Sequence, residues 1–176
     1  MSIPSAEECI DLLRKVGCSE EVIKHSLLVR DIAVEIAKCA NADVKLVEAG
    51  ALLHDIGRSK THGIMHGVEG AKIARKLGLP KVLVDIIEHH LGAGISLEEA
   101  KKLGLPPKDY TPKTLEEKIV AHADNLTEGS RKQSIKEAIE KEIKRGKAEL
   151  AKKMLRLHEE LSNYCGIDID EIELKQ

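Results

Sequence analysis

The stretch "ALLHDIGRSKTHGIMHGVEGA", residues 51–71, decides how this chain is read. It starts as an apolar helix, Ala51-Leu52-Leu53, then sets His54 beside Asp55 and adds His62 and His66 shortly after. Burying a histidine next to an aspartate costs free energy unless each group finds a partner. Either these groups sit in a solvated loop or something at this point of the fold binds them.

Helical phase favours the second choice. His25 has Val22 three positions before it, Leu28 and Val29 three and four after, and Ile32 seven after, so it shares an apolar face. His54 follows Ala51 and Gly50 by three and four, and Val47 by seven. Asp124 follows Ala121 and Val120 by three and four, and His89 follows Ile86 by three. A lone inward histidine is most often a core residue bonded to a carbonyl, and a lone inward aspartate a cap. Inward polar groups from four separate helices need each other or a common ion. Neutral imidazole and carboxylate oxygen suit Fe, Mn, Zn, Co or Ni, with Mg possible for the oxygens, and exclude a thiolate-preferring site.

The rest of the chain is consistent with a helical body around such a site. At 176 residues it is long enough to bury a core as one domain, and its 42% hydrophobic content supplies one. Phe and Trp are absent and Tyr110 and Tyr164 are the only aromatics, so the core is built of aliphatic side chains and the stacking faces that single-stranded nucleic acid needs are missing. A formal charge of −2 gives no general attraction to a phosphate backbone, so a nucleic-acid partner is not expected. Cys9, Cys18, Cys39 and Cys165 show no C-x-x-C pair and read as small buried or idle thiols. The N-terminus lacks the charged and apolar regions of a signal peptide, and no apolar run reaches the ~18 residues needed to span a bilayer, so a soluble, cytoplasmic protein is expected.

Helices are predicted for "PSAEECIDLLRKVG", with Ser5 and Glu8 at its start, and for "SEEVIKHSLLVRDIAVEIAKCANA", "DVKLVEAGALLHDIG", "HGVEGAKIARKLG" and "PKVLVDIIEHHLG". Residues 91–113 read as a loop holding one short helix. "TLEEKIVAHADNLTEG" is a helix with Thr114 and Glu117 as a capping box. Residues 134–164 carry the stripe Ile139, Ile143, Leu150, Met154, Leu157 and Leu161, interrupted near Gly146. This stripe either closes the bundle or forms a homodimer contact. No alternating strand pattern is evident.

The order His25, His54-Asp55, Asp124, with "HDIG" after "ALL", resembles the HD-domain superfamily of metal-dependent phosphohydrolases over roughly residues 20–130. The resemblance implies an all-α, single-domain bundle with a C-terminal helical extension, in which His25, His54, Asp55 and Asp124 hold one ion. Two-metal members carry further histidines where His66 and His89 or His90 stand here; register favours His89, and some relatives use both. Asp55 would then bridge two ions. The pattern is most similar to small diiron diadenosine tetraphosphate hydrolases. The Gly-Tyr-Pro that follows the paired histidines of the cyclic dinucleotide phosphodiesterases is replaced by Gly94-Ile95-Ser96, which speaks against cyclic di-GMP. His122 is expected to face away from the site.

The implied reaction is hydrolysis of a phosphate mono- or diester, with a nucleotide as the small phosphorylated substrate, by water activated at an ion pair ~3.5–4 Å apart. Arg58 and Lys60 are the nearest cations for its phosphate, and His62 is a candidate to orient it. Two other readings stand beside this one. A mixed-valent diiron oxygenase uses the same ligands, and a nucleotide-sensing module needs no turnover.

Overall fold

The computed structural model describes residues 2–174. The chain runs through α1 (Ala6–Lys15), α2 (Glu20–Ala40), α3 (Val44–Leu53), a 3-10 turn (Ile56–Ser59), α4 (His66–Lys76), α5 (Lys81–Glu88), α6 (Leu97–Leu103) and α7 (Leu115–Asn125). A hairpin of two-residue strands, β1 (Thr127–Glu128) and β2 (Arg131–Lys132), leads to α8 (Ile135–Lys144), α9 (Ala148–Cys165) and a last 3-10 turn (Ile169–Glu171). The all-α bundle read from the sequence is therefore the architecture found.

Local chemistry starts these helices where the sequence places them. Ser5 with Glu8 and Thr114 with Glu117 form the expected capping boxes, and Ser96 with Glu99 and Ser134 with Glu137 add two more. The longest core helix, α2, packs on α3, α7 and α9, burying Val22, Val29, Ile32, Ala33 and Ile36. One continuous core runs from Cys9 on α1 to Ile169 beyond α9.

Several sequence boundaries move. The helix expected to run through Gly57 stops at Leu53, with Asp55 at φ −98°, ψ 16° and the 3-10 turn following. The helix expected through "HHLG" stops at Glu88. The β1–β2 hairpin was not anticipated, because two residues are too few to show alternation; Gly129 makes its turn at φ +62°.

Two glycines let α4 sit on the turn below Asp55. A Cβ on Gly57 would lie 1.8 Å from the His66 carbonyl oxygen, and one on Gly70 would lie 2.8 Å from Ile87 Cγ2. Only hydrogen at both positions allows this approach, which brings the start of α4 under the end of α3.

The C-terminal stripe closes the bundle: Met154, Leu157 and Leu161 are buried, while Ile143 stays exposed. The reading of the cysteines needs correction. Cys9 and Cys18 are buried free thiols, but Cys39 and Cys165 form a disulfide between the ends of α2 and α9. A pairing across 126 residues leaves no local mark in a sequence. In the chain-entropy account a loop of that length stabilises the fold by about 5 kcal/mol. Because Cys39 is exposed, a reductant should reach the bond. Reduction, or the pair Cys39→Ser and Cys165→Ser, should lower the melting temperature by on the order of 10 °C. A melting curve indifferent to reductant would remove the bond from the stability of this protein.

Candidate metal centre

Side chains from five elements converge on Asp55. Its Oδ2 lies 3.5 Å from His25 Nε2 and 3.4 Å from His54 Nε2. Its Oδ1 lies 3.3 Å from His66 Nε2 and 3.2 Å from His90 Nε2. Asp124 Oδ1 closes the first side, 2.9 Å from His25 Nε2 and 3.5 Å from His54 Nε2. The two oxygens of Asp55 thus face two different histidine pairs.

The direction of each imidazole is fixed from behind. His54, His66 and His90 donate Nδ1–H to the carbonyls of Ala51, Gly63 and Ile87 at 2.6–2.8 Å, each three residues earlier. His25 donates to Gly129 in the hairpin at 2.7 Å. With Nδ1 committed as a donor, every Nε2 points inward, where a neutral imidazole offers a cation its lone pair, as metal-ligating histidines do. His66 Nε2 and His90 Nε2 are 3.0 Å apart, so a proton or a cation must separate them. Among the described residues, His54 Nε2 and Asp55 Oδ1 find no partner in hydrogen-bond geometry, and both atoms are buried. Orphaned, converging donor atoms of this kind fit a divalent cation.

Electrostatics agree. Burial would raise the Asp55 pKa, but the adjacent His54, with His66 and His90 close to the other oxygen, outweighs it and holds the carboxyl well below its usual range. Burial likewise opposes ionisation of Asp124, yet His54 and His25 keep its pKa depressed. At His54 burial is overcome by Asp55 and Asp124, which raise its pKa; at His90 burial prevails and lowers it. Both carboxylates are thus held ionised, Asp55 in a buried place and Asp124 in a half-buried one.

His89 does not join this cluster. Its Nδ1 pairs with the Glu117 carboxylate at the start of α7. The physical reason is that α5 is inward on two sides. Ile86 lies against Gly50 of α3 and Ile87 against Gly70 of α4, so helical phase alone cannot tell which buried side leads to the site. His90 follows Ile87 and turns to His66; His89 follows Ile86 and turns to α7.

The other sequence candidates separate. Arg58 Nε stands 3.1 Å from Asp55 Oδ2, and its Nη1 donates to the His62 carbonyl at 3.2 Å. Arg58 and His62 line a depression of about 290 Å³ over the cluster, with Ser19, Glu21, His25 and Gly129. Lys60 caps the 3-10 turn, is exposed and does not line this depression.

His122 faces away, as expected. It is fully buried and its Nε2 lies 2.9 Å from His158 Nδ1, whose own Nε2 lies 2.7 Å from Asp168 Oδ1. Burial pushes the His122 pKa down to about 3, so it is a neutral structural bridge. Sequence reasoning passed over His158, although its place between Met154 and Leu161 on the same stripe marks it as inward. It gave no sign of Gly129 or Glu117 as partners, since 104 and 28 residues separate them from His25 and His89.

The HD-domain sequence profile matches residues 22–129, which contain every residue of the cluster. The chain belongs to the HD-domain family. A tRNA (cytidine(56)-2'-O)-methyltransferase of Thermoplasma volcanium is 49% identical over 170 residues, covering 97% of this chain and 50% of the relative. The chain therefore spans about half the length of that relative. An uncharacterised protein of Methanocaldococcus jannaschii is 51% identical over 164 residues, 89% of this chain and 96% of its own. Among solved structures, the HD domain of the L. monocytogenes phosphodiesterase PgpH aligns with a TM-score of 0.56 at 19% identity, covering 88% of this chain and 97% of its own. The same domain in complex with cyclic-di-AMP gives 0.55 at 17% identity, over 94% of this chain and 100% of that one. These likenesses share the helical fold.

Elemental analysis distinguishes the two adjacent histidines. His66→Ala and His90→Ala should each lose about one equivalent of metal, whereas His89→Ala should keep its metal and lower only the melting temperature. Loss of metal from His89→Ala with retention in His90→Ala would reverse the assignment.

Proposed function

We propose that this HD domain is a metal-dependent phosphohydrolase that cleaves a phosphate mono- or diester of a nucleotide with water. The observation that carries this reading is the split of Asp55, whose two oxygens each face a separate pair of backbone-oriented Nε2 atoms. His25, His54, Asp55 and Asp124 would hold one divalent ion, and Asp55, His66 and His90 a second, drawn from Fe, Mn, Zn, Ni, Co or Mg. When bound, such a pair lowers the pKa of water and neutralises charge on phosphoryl oxygens.

The chain's own groups do the rest. Four histidines, each pinned through Nδ1, hold their lone pairs in place without reorganisation during turnover. Arg58 is anchored by Nε and Nη1, which leaves Nη2 for a phosphate oxygen at the mouth of the depression. His62 also lines this depression, and its imidazole would hydrogen-bond a substrate oxygen there. Lys60 is left out of the site.

PgpH, a phosphodiesterase whose HD domain has been seen with cyclic-di-AMP, supports a nucleotide as substrate class. We do not carry over methyl transfer from the Thermoplasma relative. This chain matches about half of that protein, and its buried donors suit a cation rather than a methyl donor. We read residues 1–176 as one domain.

Metal-loaded protein should release phosphate or cleave a diester in a panel of nucleotides with Mn, Fe, Co, Ni and Mg. Asp55→Ala should abolish turnover together with bound metal. Arg58→Ala should lower kcat/KM at least tenfold, about 1.4 kcal/mol of transition-state stabilisation, at full metal content. Saturated protein with no turnover across the panel, or iron-dependent oxygen uptake without phosphate release, would overturn the proposal.

A further inference from the structure

The metal-centre depression is small and lined mostly by polar residues, and it offers little surface to the organic part of a nucleotide. A larger cavity of about 510 Å³ lies between residues 91–103 and the first turns of α9. Its walls include Ile64, Leu91, Ile95, Leu103 and Leu150, with Lys147 and Lys153 among its polar residues. That volume falls inside the range of small-molecule sites, roughly 300–1,000 Å³, which are mostly apolar with a few placed polar groups.

The cavity has firm sides. Val68, Ile95, Ala100, Leu105 and Tyr110 form a small core of their own, separate from the main one. Lys153 of α9 bridges to Glu99 of α6 and to the Gly94 carbonyl, tying the two walls together. Ile64 and Leu103 nevertheless remain 42% and 48% exposed, apolar surface left in water around the opening.

The cavity also adjoins the histidines. Leu91 follows His90 directly, and its Cδ1 lies 3.3 Å from where a Cβ on Gly67, the neighbour of His66, would stand. Ile64 lies between His62 and His66 in the same short segment. Two of the apolar wall residues are thus near sequence neighbours of the His66–His90 pair, Leu91 next to His90 and Ile64 two residues before His66. Lys147 has no carboxylate within salt-bridge distance among the described residues, which leaves its charge for an anionic ligand.

We propose that this cavity is the subsite for the nucleoside part of the substrate, its aliphatic walls enclosing the base while the phosphate reaches the metal centre past Ile64 and Leu91. The proposal rests on the phosphohydrolase reading and extends it to substrate choice. Calorimetric titration of manganese-loaded protein with adenosine 5′-phosphorothioate and with inorganic thiophosphate tests it. The wild type should bind the nucleoside-bearing probe at least tenfold more tightly. Leu150→Trp, which fills the cavity, should shrink that advantage below threefold, whereas Val82→Trp on the exposed side of α5 should preserve it. Should Leu150→Trp misfold, Leu103→Glu at the exposed mouth should weaken the nucleoside probe several-fold. Nucleotide turnover with wild-type KM and wild-type probe preference in both cavity variants would overturn the subsite and leave the phosphohydrolase standing. No binding of either probe and no turnover would overturn both.

Discussion

The carboxylate of Asp55 is the constraint on which the rest of the structure turns. An ionised carboxylate taken out of water costs several kcal/mol unless its oxygens are met by charge or donors. Here Oδ1 is buried without a hydrogen bond, and both oxygens are ringed by Nε2 atoms whose Nδ1 protons are spent on carbonyls. Arg58 and the neighbouring His54 offset part of that cost within the chain. They do not satisfy the His66–His90 side, where two lone pairs meet at 3.0 Å. A cation on that side resolves the conflict, which is why ion binding and the integrity of the centre belong together.

The geometry around Asp55 is built largely from short-range rules. Three of the histidines hydrogen-bond to a carbonyl three residues earlier, so the end of α3, the start of α4 and the end of α5 orient their own side chains. The tertiary structure then has only to bring those ends together. Gly57 and Gly70 do so by letting backbone meet backbone, and a single methyl at Gly57 would push the His66 segment off the turn. His25 is different. Its partner is Gly129, so the hairpin after α7 sets the direction of a side chain on α2, and it follows the helix that carries Asp124.

This division explains what was legible in the sequence. Phase along single helices identified His25, His54 and Asp124 as inward, and capping chemistry placed the starts of α1 and α7. Helical phase could not choose between His89 and His90, because Ile86 and Ile87 are both buried on sides of α5 that face different helices. Nor could it see pairings made only by folding, such as Cys39 with Cys165, His25 with Gly129 and His122 with His158. Lys60 lies apart from the depression for a related reason. Nearness in sequence to Asp55 does not say which way the residue that caps a 3-10 turn points.

The C-terminal helices close the bundle and also take part in the site's architecture. The Cys39–Cys165 bond fixes the far end of α9 to α2, and the run Asn125–His122–His158–Asp168 fastens the middle of α9 to α7. Both helices so gripped carry residues of the metal cluster, His25 on α2 and Asp124 on α7. The other end of α9 holds Leu150 and Lys153 against the segment that follows His90. A displacement of α9 would therefore act on both sides of Asp55, on one through the helices that carry His25 and Asp124 and on the other through the segment that follows His90. Residues outside the span matched to the HD domain thus bear on the geometry of the centre within it.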